Sequence, residues 1–127
     1  MRKTLIVTLA VLAAAVAVCA LSMHALNGAV DRADRLRSAA VLAEEENRIS
    51  DAKAAMLELA EFWRRKASLL EMMASHDALH EVQSAVAEAQ ICLECEDRDD
   101  FLRCMAVVEE NLNHIRDEQS PRLSNLY

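Results

Sequence analysis

Glycine and proline are nearly missing from this chain: Gly28 and Pro121 are its only ones. That scarcity excludes most β-hairpins, phosphate-cradling loops and glycine-rich nucleotide motifs, which need backbone conformations that other residues resist. Aromatic residues are almost as few, Phe62, Trp63, Phe101 and Tyr127. Four rings do not build the stacking platforms on which single-stranded nucleic acids lie. Positive charge is in deficit too, with 14 Lys and Arg against 21 Asp and Glu, a net charge of −7. Setting aside Arg2 and Lys3, which precede the apolar run described next, the remainder stands near −9. Such a surface repels phosphate backbones and anionic headgroups, and no nucleic-acid partner is expected. What dominates instead is alanine, leucine, glutamate and arginine, all good helix formers.

One stretch organises the rest. From Thr4 to Val30 there is no Asp, Glu, Lys or Arg, and within it Leu5 to Met23 reads LIVTLAVLAAAVAVCALSM. Nineteen helical residues at ~1.5 Å each reach ~28 Å, the thickness of a bilayer's hydrocarbon core. Leu5, Leu12, Val16 and Leu21 are the anchor side chains of such a span. Arg2 and Lys3 ahead of it argue for an N-terminus on the cytoplasmic side and a C-terminal domain outside the cytoplasm. Arg32, Arg35 and Arg37 beyond the run count against that orientation, but they stand among Asp31 and Asp34. Two processed forms stay open. Ala15-Val16-Ala17 has the small-x-small pattern of a cleavage site. Cys19 raises lipidation, although Val18 precedes it where a small residue is expected. The expected division is a transmembrane signal-anchor over residues 1–28 and a helical domain over residues 29–127.

The domain reads as helices in series. A thin stripe, Ala33, Leu36, Ala40 and Ala43, predicts a first helix over 29–46, with Asn27-Gly28 before it as either a hinge or a costly continuation of the span. Asp31–Arg35 and Glu44–Arg48 are spaced to support it. Ser50 is the expected N-cap of a second helix, whose core positions are Met56, Leu59, Trp63 and Leu70, with Lys66 interrupting the stripe. Ser75 and Asp77 predict the start of a third helix, carrying Val82, Val86 and Leu93 inward. After the polar run ECEDRDD, Asp97 caps a fourth, whose core positions are Phe101, Met105, Val108, Leu112 and Ile115. Ser120-Pro121 suits one last turn, with Leu123 and Leu126 docking on the bundle. A faint repeat at an offset of 49 aligns Asp51 with Asp100, Met56 with Met105, Leu59 with Val108 and Trp63 with Leu112. Two helical hairpins produce that pattern, and so do any two heptad-patterned helices aligned at their caps. The fold class is therefore all-α: one N-terminal transmembrane helix, then an up-and-down bundle of about four helices resembling helical repeats.

Trp63 within EFWRRK, His76 after it, and the tail from His114-Ile115 to SPRLSNLY resemble a family catalogued as domain of unknown function four-three-six-three. The likeness covers nearly the whole chain. It implies membrane association and an all-helical fold, and it implies no activity.

Few constellations carry chemistry. His76 and His80 lie four apart, the spacing of metal ligands on one helix face, but two histidines in HDALH lack the pattern of a zinc protease and read first as a surface pair. Cys92 and Cys95 form a C-x-x-C, with Cys104 and His114 downstream. As a zinc set they are poorly placed, because His114 stands ~15 Å up the helix from Cys104. A redox reading of C-x-x-C needs a βαβ context that is absent, and the cysteines read first as small buried or half-buried thiols, with a disulfide as the main alternative. If the last two helices form a hairpin about Asp97-Arg98, Cys92 and Cys104 face each other and are the possible disulfide, with Cys95 farther away. Glu44-Glu45-Glu46 and Arg64-Arg65-Lys66 read as solvated helix faces. No catalytic residue, cofactor or metal is expected. The leading expectation is a non-enzymatic, membrane-tethered interaction or scaffold module whose partner is a protein, itself included. The alternatives are a small metal- or redox-responsive binding protein and an accessory subunit of a membrane complex.

Overall fold

The computed structural model describes residues 1–119, which form five helices and no strand. The positions expected at Ser120-Pro121, Leu123 and Leu126 lie outside them.

Helix α1 is the organising element. It runs unbroken from Arg2 to Glu45, 44 residues. No hinge interrupts it at Gly28, and the first domain helix is the continuation of the apolar run rather than a new element starting at residue 29. Its two parts live in different surroundings. Residues 1–21 are all exposed, Ser22 and Met23 are half-buried, and from Leu26 onward one face is packed. Leu26, Ala29, Val30, Ala33, Ala40 and Ala43 form that face. The α1 helix alone among the described residues is long and apolar enough to cross a membrane, and none of its apolar window is buried in the protein. Length and composition of this kind fit a span or a signal sequence.

Four helices close the bundle. Helix α2 (Ile49–Arg65) returns along α1, a short α3 (Ala67–Met73) follows, and α4 (His76–Glu94) and α5 (Arg98–Gln119) form a second hairpin. The neighbours are α1 with α2, α2 with α4, α4 with α5, and α5 with α1. Ion pairs across the seams fix the directions: Arg32–Glu58 at 3.0 Å, Lys53–Glu94 at 3.5 Å, Arg103–Glu88 at 3.5 Å and Arg116–Asp31 at 2.7 Å. Every neighbour is antiparallel, so the arrangement is up-down-up-down. Exposed pairs of this kind contribute little to stability; the core carries the fold. Met56, Leu59, Trp63 and Leu70 are buried, as are Val82, Val86 and Leu93 on α4 and Phe101, Met105, Val108, Leu112 and Ile115 on α5.

The repeat is built into the backbone. The α1–α2 turn bonds Glu46 N–H to Leu42 O, Asn47 N–H to Glu44 O and Arg48 N–H to Ala43 O. The α4–α5 turn bonds Cys95 to Ile91, Glu96 to Leu93 and Asp97 to Cys92, the same donors and acceptors 49 residues later. Both are helix-ending Schellman turns. The residue that each places in left-handed backbone is Asn47, φ 59°, and Glu96, φ 57°. Buried positions correspond along both hairpins: Ala29 with Ala78, Ala33 with Val82, Ala40 with Ala89, Ala52 with Phe101 and Trp63 with Leu112.

Two boundaries differ from the expectation. Ser50 is not the cap of α2. The bond from Arg48 N–H to Ala43 O ends α1 so tightly that α2 starts at Ile49, directly after Arg48. The second helix also does not run unbroken to Leu70. It bends at Lys66, whose side chain stays exposed. The second repeat has buried Ile115 at the equivalent position, and α5 runs straight on. A lysine cannot take that inward site, so the chain turns there and brings Leu70 inward as the next core residue. Ser75 does cap α4, its hydroxyl accepting from Ala78 N–H at 3.3 Å, and Asp97 accepts from Asp100 N–H at 3.1 Å at the start of α5. The expected pairs Asp31–Arg35 and Glu44–Arg48 are replaced by longer-range ones, Asp31 with Arg116 and Glu44 with Arg98.

Candidate functional site

The two Schellman turns lie side by side at the end of the bundle remote from residues 1–21. Between them is a cleft of about 310 Å³ lined by Glu44, Asn47, Ile49, Cys92, Leu93, Glu96, Asp97, Arg98 and Phe101. Its unusual member is Glu44, only 5% exposed. One carboxylate oxygen makes an ion pair with Arg98 Nε at 3.2 Å, and the other is buried with no hydrogen-bond partner. The reading of Glu44-Glu45-Glu46 as a solvated face therefore holds for Glu45 and Glu46, which are exposed, and fails for Glu44. Glu44 sits on the inward face that Ala40 and Ala43 share. Its counterpart in the second hairpin is Leu93, 4% exposed. The signal was in the repeat: an offset of 49 puts Glu44 on a leucine's core position.

Cys92 and Cys104 are buried on facing helices, Cys95 and Cys19 are exposed, and all four are free thiols. Burial pushes the Cys104 thiol up to about 11, helped by nearby Glu88, and burial raises Cys92 as well, with Asp100 adding to it. These thiols are poor nucleophiles at neutral pH. Cys95 sits at the exposed C-terminal end of α4.

His76 and His80 are both exposed on α4. His114 pairs with Glu118 on its own helix at 2.9 Å. Among the described residues no group of three or more His, Cys, Asp or Glu side chains is placed to hold a metal ion. A second groove, about 370 Å³, runs between α2–α3 and α4, with Trp63, Leu70, Leu79 and Val86 on its floor and Arg64, Glu71 and Gln83 at its rim.

Residues 20–126 match the family described as a domain of unknown function, DUF4363. The chain belongs to that family. The DUF4363 match takes in the bundle and the last turns of the apolar run, and it begins where cover first appears on α1. No curated protein and no solved structure matches the chain. For this DUF4363 member the described residues thus offer these two concave surfaces, the buried Glu44 and the buried thiols Cys92 and Cys104 on a bundle continuous with an apolar helix.

Proposed function

We propose that this DUF4363 protein is a non-enzymatic, membrane-tethered interaction module: a single-pass protein with its N-terminus inside and its bundle outside the cytoplasm, engaging a protein partner, a second copy included. The observation that carries the reading is the exposed stretch of α1 before Ser22, apolar from Thr4 onward, on the same helix as the bundle's first wall. A helix that is apolar all round and uncovered needs a lipid environment. Arg2 and Lys3 favour the stated orientation. The membrane-distal tip supplies a contact surface, since Leu42 and Ile91, 51% and 63% exposed, occupy equivalent positions on the two hairpins. Proximity labelling from a tag on the distal tip tests side and partner together. Labelled extracytoplasmic proteins, lost on Leu42→Asp with Ile91→Asp, support the reading. Exclusive labelling of cytoplasmic proteins contradicts the orientation.

One observation favours a second reading. Cys92 and Cys104, buried free thiols on the neighbouring helices α4 and α5, suit a redox-responsive binding protein. Treatment with a thiol oxidant such as diamide would then remove two thiols and lower the intact mass by about two hydrogens, the stoichiometry of one disulfide.

A further inference from the structure

We infer that the α3 elbow, with Leu69, Met72 and Met73 flanked by Arg64, Arg65 and Lys66, is a second membrane contact that lays the bundle's proximal end on the anionic surface of the bilayer its own helix crosses. The inference rests on the tethered reading above and goes beyond it by naming a lipid-facing surface on the bundle.

Position comes first. Arg32 bonds Glu58 and lies 5.5 Å over the Phe62 ring, which fixes the register between α1 and α2. Moving from there toward the start of α1 is moving along α2 toward Lys66 and α3, because the two are antiparallel. Helix α3 touches α1, and the first α1 residues with any cover are Ser22 and Met23. The bundle therefore begins where the exposed apolar run ends, with no spacer. A span that uses Thr4 to Met23 leaves the elbow at the headgroup level.

Composition fits that level. Helix α3 reads ASLLEMM. Leu70 points into the core, Leu69 and Met73 are half-buried, and Met72 is 84% exposed, among the described residues the most exposed large apolar side chain after Met1. Ser68 and Glu71 are exposed on α3 as well, and a short segment that sets an exposed methionine beside polar groups suits an interface more than water. Charge agrees. The bundle as a whole is acidic and is repelled by anionic headgroups, but its cations are unevenly used. Arg32, Arg37, Arg48, Lys53, Arg98, Arg103 and Arg116 pair with carboxylates. Arg64, Arg65 and Lys66 are exposed and make no ion pair among the described residues, and of the other bundle cations only Arg35 shares that state. Three free cations beside exposed methionine match phosphate groups above acyl chains. Rigidity adds to the effect, since the unbroken α1 holds the elbow at one height and one rotation relative to the span.

The test uses the full chain in vesicles of phosphatidylcholine with phosphatidylglycerol, some carrying brominated acyl chains that quench nearby tryptophan. Met72→Trp adds a reporter at the elbow, and Ile91→Trp adds one at the distal tip. Wild-type protein supplies the buried Trp63 background. The expected result is flotation with vesicles, about twofold quenching of the added signal at 72, within reach of an interfacial side chain, and no quenching at 91. Replacing Arg64, Arg65 and Lys66 with Gln should reduce quenching at 72 while flotation persists. Flotation with position 72 quenched no more than position 91 overturns the contact alone. Unchanged quenching in the Gln variant overturns its electrostatic part. Loss of flotation overturns the tether, and the contact with it.

Discussion

Glu44 shows at the scale of one residue how charge hides a core position. The periodic pattern of apolar residues leads directly to Met56, Leu59, Trp63, Val108 and Leu112, all buried, because a helix stripe is visible when its members are apolar. Glu44 lies on such a stripe and is invisible to that test. With one carboxylate oxygen buried and unpartnered, it should lower stability relative to the leucine that the second hairpin has there. Glu44→Leu in the full chain in detergent is expected to raise stability by about 1–3 kcal/mol, read from the denaturation midpoint; a fall would mean that the Arg98 bond is worth more than the burial costs. Trp63, 6% exposed, is the opposite case: Trp63→Ala should cost about 3–5 kcal/mol, and an unchanged melting temperature would contradict its place in the core. The thiols add a pH dependence. The folded state holds the Cys104 proton more tightly than the unfolded chain, with its value raised from 9.0 to about 11. That contribution is fully present below about pH 9 and is lost as pH rises toward 11. Cys92 adds to the loss in the same direction. Stability should therefore fall through this alkaline window, and Cys104→Ala should flatten the fall.

At the scale of elements, the number of core stripes was legible and their joins were not. Lys66 was visible as an interruption in the stripe, but only packing shows that the helix bends there while α5 runs straight past Ile115. Ser50 has the right chemistry for a cap, yet the tight α1–α2 turn places the helix start before it. Gly28 left two options open at the end of the apolar run, and the helix passes through it. A Cβ at this position meets nothing within 4 Å, so Gly28→Ala should raise stability by about 0.5–1 kcal/mol from the gain in helix propensity. Amide hydrogen exchange should show no fast-exchanging gap between Met23 and Val30. Rapid exchange at Asn27 and Gly28 would mean a hinge between the apolar run and the bundle.

At the scale of the whole molecule, the account turns on the exposed helix that leads into the bundle. The bundle does not need it. Cover on α1 starts at Ser22 and Met23, so removal of everything before Val18 would leave the packed helices whole. The architecture fits a retained anchor and a cleaved leader alike, and the tether must be tested on the protein in its own membrane. The most direct measurement is alkaline carbonate extraction of those membranes followed by intact mass determination. The account predicts that the protein stays in the pellet with residues 1–21 present. A soluble species beginning near Val18 would contradict it.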